Sequence, residues 1–98
     1  MASPVRDAAV AAYQKAIEQR PDYPQAWNNL GLLLAGTVPV DAEAAFRKAI
    51  ALDAKYAPGW LNLGEFLADH DRHAEAVDAL RTAIGLRASY PEARLNLV

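Results

Sequence analysis

The residues of this 98-residue chain best suited to chemistry lie in the run DHDRH at 69–73, where His70 and His73 stand beside Asp69 and Asp71. Imidazole and carboxylate together suit several divalent cations. A metal site also needs ligands held by rigid elements, and this run falls between two helical segments. It reads as a polar turn with Asp71 capping the next helix, so no metal is expected. Nucleophilic chemistry has less to draw on. The chain has no Cys, which removes thiolate catalysis, disulfides and thiolate metal sites together. It has no Gly-rich phosphate loop and no Ser in a strained elbow. Ser3 and Ser89 each precede a helix start and read as caps. No catalysis by this chain alone and no cofactor are expected.

A more regular chemistry lies in the amides. Asn29, Asn62 and Asn96 recur at spacings of 33 and 34 residues. An Asn side chain carries one acceptor and two donors, so it can pair with the C=O and N–H of a peptide. A column of such amides can follow an extended backbone without demanding a particular sequence. What positions them is a repeated phrase: DYPQAWNNLG at 22–31, KYAPGWLNLG at 55–64 and SYPEARLNLV at 89–98. An upstream set shares the period, running Ala9, Ala42, Ala76, then Tyr13, Phe46, Leu80, then Ala16, Ala49, Ala83 and Ile17, Ile50, Ile84. Within each unit the period is helical, since Trp27, Leu30, Gly31 and Leu34 fall at i, i+3, i+4 and i+7. With 22 alanines and prolines at helix starts, the chain reads as all-α. Helices are expected near 4–19, 24–35, 41–52, 58–70, 73–86 and 91–98, with Asp41 capping the third.

These residues resemble the tetratricopeptide repeat family, whose unit is an antiparallel helix pair of about 34 residues. The family pattern of Trp, Leu, Gly, a large residue, Ala, an aromatic and Ala is met by Trp27, Leu30, Gly31, Leu34, Ala42, Phe46 and Ala49. It returns as Trp60, Leu63, Gly64, Leu67, Ala76, Leu80 and Ala83, with Ala54 and Ala88 in place of the closing Pro. The resemblance implies a right-handed α-α superhelix, or solenoid. It would contain a half-unit at 4–23, full units at 24–56 and 57–90, and the start of a further unit, or a degenerate cap, at 91–98. Packing gives the pattern a physical sense. Trp27 and Trp60 read as large plugs, and Gly31 and Gly64 as points of close approach with Ala42 and Ala76 as the facing residues.

In such superhelices the first helix of each pair lines the concave face. The resemblance therefore places Gln25, Asn28, Asn29, Leu32 and Ala35, then Leu61, Asn62, Glu65 and Asp69, and finally Asn96, along a peptide groove. The asparagine column is similar to the ladder of the O-linked N-acetylglucosamine transferase superhelix, which grips extended peptides. The groove carries carboxylates and no Lys or Arg before Arg94. The family's clamp for acidic chaperone tails wants Lys at Asn28, Asn at Leu32 and at Asn62, and basic residues at Glu92 and Asn96. Only Asn62 fits. A neutral or basic segment with an apolar anchor near Leu32 and Leu61 is the expected partner.

A net charge of −2 offers no basic field for nucleic acid or anionic lipid. No run approaches the roughly 20 apolar residues of a membrane span, and no signal peptide is visible, so a cytoplasmic module is expected. Other readings have their own features. Leu95, Leu97 and Val98 could dock on the start of a second copy, giving head-to-tail self-association. Their apolar ending also suits the substrate-recruiting arm of a larger enzyme such as a glycosyltransferase. The turn GTVPVD at 36–41 is one residue short for the family, and Val38 and Val40 there could form a small apolar contact.

Overall fold

The computed structural model describes residues 3–88, which form five α-helices. They are α1 (Pro4–Gln19), α2 (Pro24–Leu34), α3 (Pro39–Leu52), α4 (Ala57–Asp69) and α5 (His73–Ala88). Helix starts follow local chemistry. The Ser3 hydroxyl accepts from the Arg6 N–H at 3.2 Å, and proline occupies the first turn of α1 to α4, where a missing N–H costs no hydrogen bond. One start differs from expectation. Pro39 opens α3 two residues early, so Val38 is its N-cap and Asp41 lies inside the first turn. Asp41 therefore acts on the helix dipole and not as a cap. Likewise Asp71 does not cap α5; it carries the turn between α4 and α5 at φ 61°, a left-handed conformation that Asp tolerates better than most residues. The expected helix at 91–98, with Asn96, Leu95, Leu97 and Val98, lies outside the described residues.

Each helix packs on its neighbour in sequence, most extensively α2 on α3 and α4 on α5, and α2 also touches α4. The result is an all-α superhelix of stacked helix pairs. Its core is a cluster of Ala42, Phe46, Leu63, Phe66, Leu67, Ala76 and Ala79. Phe46 is the largest of its fully buried side chains. Trp27 and Trp60 are only half-buried. Each turns its indole N–H back onto the chain entering its helix, Trp27 to the Pro21 carbonyl at 3.1 Å and Trp60 to the Ala54 carbonyl at 2.8 Å. They latch helix entrances, and Phe46 fills the core.

The close approaches also fall one turn further along than the repeat columns suggest. A Cβ on Gly31 would meet the Phe46 ring, and one on Gly64 would meet Leu80. Ala42 and Ala76, each four residues earlier, are buried elsewhere in the same interface. On the convex side α3 and α5 have no Cα atoms within 8 Å of each other. Charges bridge them: Glu43 pairs with Arg47 at 2.8 Å and with Arg72 at 2.5 Å, and Glu75 pairs with Arg72 at 2.8 Å and Arg47 at 3.3 Å. The two guanidiniums, Arg72 first, hold the Glu43 carboxyl below its ordinary range.

Candidate groove between the first helices

Helix α2 carries two adjacent amides, and the structure treats them differently. Asn28 is buried, with 4 % of its surface exposed, whereas Asn29 is half-buried. Asn62 on α4 donates from Nδ2 to the Asn28 Oδ1 at 3.0 Å. The neighbouring Asn28 side chain favours the ionised form of the Tyr56 hydroxyl. Burial outweighs that effect and pushes Tyr56 above its ordinary value of 10.0. The cross-repeat contact is thus staggered: Asn62 meets Asn28 and not its column equivalent Asn29. A buried polar group needs such a partner, and among the described residues no buried side-chain polar atom is left without one.

Beside this amide pair, α2 and α4 enclose a groove pocket of about 130 Å³. Leu32, Ala35, Phe46 and Phe66 form its apolar walls, and Asn62, Glu65, Asp69 and His70 line it with polar groups. Leu32 is 52 % exposed there, an apolar side chain offered to solvent beside buried aromatic rings. Of the residues placed on the concave face by resemblance, Leu32, Ala35, Asn62, Glu65 and Asp69 meet in this pocket. Gln25 is exposed, Leu61 half-buried, and neither they nor Asn28 and Asn29 line it.

Sequence reasoning did not put Phe46, Phe66 or His70 on the groove. His70 follows α4 as its C-cap. The chain tightens there, with the His70 N–H bonding to the Leu67 carbonyl at 3.2 Å. The imidazole Nδ1 then takes up the Phe66 carbonyl at 2.8 Å, and the ring stacks on Phe66 with centroids 4.2 Å apart. An aromatic four residues before a helix-ending His was the available signal. His73 points elsewhere, 72 % exposed and 3.7 Å from Asp71. Among the described residues no three His, Cys, Asp or Glu side chains gather as metal ligands, and no helix is long and apolar enough to cross a membrane.

Helix pairs stacked in sequence define a helical-repeat solenoid. More narrowly, the chain belongs to the tetratricopeptide repeat family: a family model described as tetratricopeptide repeat matches residues 39–94, over half its length, and one described as TPR repeat matches residues 7–37. Members of this family are generally protein-interaction modules. No curated protein sequence matches the chain. Among solved structures, the crystal structure of MamA is similar, with a TM-score of 0.80 and 24% sequence identity over 89% of this chain. The matched region is 53% of the MamA chain, so this chain spans about half that length. At this identity the likeness concerns the fold.

Proposed function

We propose that the chain is a non-catalytic protein-interaction module that binds an extended peptide segment along the groove between α2 and α4. The observation that carries this reading is the pocket in which exposed Leu32 stands beside Asn62 and the rings of Phe46 and Phe66. An exposed leucine over buried aromatics suits an apolar side chain of a partner, and the amides suit its backbone. Acidic side chains nearby favour a neutral or basic segment over an acidic one. Each backbone bond contributes about 0.5–1.5 kcal/mol net, so two helix pairs give weak affinity that repetition strengthens. A peptide array screened against the chain, followed by titration of the best segment, tests this. Leu32→Ala should weaken binding, and the double variant Asn29→Ala/Asn62→Ala should weaken it further. Unchanged affinity in the double variant rejects the amide ladder; unchanged affinity in all variants rejects the groove.

A second reading, head-to-tail self-association, is favoured by one observation on α1. Its stripe of Ala9, Tyr13 and Ala16 is only half-buried, whereas the equivalent Ala42, Phe46 and Ala49 are 0 %, 1 % and 0 % exposed. Light scattering that finds a monomer at high concentration rejects it.

A further inference from the structure

The polar lining of the groove pocket is dominated by acceptors. Asn62 spends one of its two Nδ2 hydrogens on Asn28, and its Oδ1 has no partner among the described residues. A carbonyl cannot donate, so the 2.8 Å contact of His70 Nδ1 with the Phe66 carbonyl places the proton on Nδ1. In the Nδ1-protonated tautomer Nε2 is an acceptor. Glu65 and Asp69 contribute carboxylates, which only accept. A pocket with apolar walls and acceptors at its rim has a defined complement: a multiple hydrogen-bond donor on an aliphatic stem.

The charges of α4 point the same way. Glu65 and Asp69 are one turn apart, a like-charge pair that weakens a helix. Asp69 is the last residue of α4, where the helix dipole is already negative, and the helix has no base in its last turn. Neither carboxylate has an ion pair among the described residues, whereas Glu43 and Glu75 on the convex side are paired twice each. Uncompensated charge beside an open apolar pocket is complementary to a cation from outside.

We infer that this pocket holds an arginine or lysine side chain of the bound peptide, its stem against Leu32 and Phe66 and its charge between Glu65 and Asp69. The inference rests on the groove reading above and specifies what that groove selects. It is tested by following backbone amide signals of the whole chain by NMR during titration with two capped dipeptides, acetyl-Leu-Arg-amide and acetyl-Leu-citrulline-amide. Citrulline keeps the stem and planar head of arginine and lacks its charge. The arginine compound should shift the Leu32, Asn62, Glu65 and His70 signals at a concentration about fivefold lower, the order of one partly exposed ion pair. In Glu65→Gln/Asp69→Asn, whose thermal stability should be unchanged or raised, the two compounds should become equivalent. Equal titrations in the unaltered chain, no shifts at these amides, or a preference that survives in the double variant overturns the inference. The peptide array judges the groove separately: segments that compete at Leu32 yet lack Arg and Lys leave the groove standing and remove its selectivity.

Discussion

Replacing Gly31 by Ala tests the helix contact on which the solenoid depends. A Cβ there would lie 2.6, 2.7 and 3.0 Å from three atoms of the Phe46 ring, while ordinary contact begins at 3.4 Å. The ring must retreat by roughly an ångström, a distance that close-packed interiors do not give freely. Phe46 is 1 % exposed and backed by Phe66 at a centroid distance of 6.0 Å. Overpacking of this kind costs about 1–3 kcal/mol, and the better helix propensity of Ala offsets about 1 of it. A net loss of up to about 2 kcal/mol follows. Gly85 supplies the control, because it is also helical and has nothing within 4 Å of a built Cβ. Gly85→Ala should stabilise by about 0.5–1 kcal/mol. The difference between the two variants, about 1–3 kcal/mol, removes most of the propensity contribution and leaves the steric one. Urea unfolding followed by circular dichroism measures both, and each kcal/mol moves Tm by about 4–8 °C in a domain of this size. If Gly31→Ala proves as stable as Gly85→Ala, the assigned contact with Phe46 is wrong.

Other expectations concern single interactions. Trp60→Phe removes the indole bond to the Ala54 carbonyl and should cost about 0.5–1.5 kcal/mol in urea unfolding. Asp71→Gly relieves the φ of 61° and should raise Tm slightly, whereas Asp71→Val should lower it by about 1–2 kcal/mol equivalent. Glu43→Gln should destabilise by about 0.2–1 kcal/mol near neutral pH, since the pairs are partly exposed and screened by solvent. The folded Glu43 carboxyl lies below its ordinary value of 4.5, so its contribution is present above that value and is lost as pH falls through the folded pKa. The gap between wild type and variant should therefore close as pH drops below 4.5; a gap that stays constant would mean that the ion pairs contribute nothing.

Periodicity made the helices and their pairing legible, because an apolar stripe of period 3.6 has one sensible fate. Relations between helices were less accessible. Repeat columns align Gly31 with Gly64, yet say nothing of how far one helix slides past the next, so the facing residue was placed at Ala42 where Phe46 stands. The same offset governs the amides: repetition aligns Asn29 with Asn62, and the tilt between successive first helices brings Asn28 to Asn62 instead. Glu43 and Arg47 were readable as an exposed pair four residues apart. Their partners Arg72 and Glu75 were not, since separations of 28 and 29 residues leave no local signal. At the start of α3 two signals compete, a cap-forming Asp41 and Pro39, and Pro39 prevails because its fixed φ suits the first helical position.

The two edges of the solenoid are fastened by different materials. Along the inside, successive first helices meet through an amide-to-amide bond beside buried apolar surface. Along the outside, α3 and α5 stand apart and are tied through four charged side chains. Salt reaches the second fastening and barely touches the first, since exposed charges are screened over about 10 Å at ordinary ionic strength. Raising ionic strength should therefore loosen the tie between α3 and α5 and leave that between α2 and α4 in place. A peptide held between α2 and α4, as proposed, would keep the spacing of its contacts while the opposite edge responds to salt.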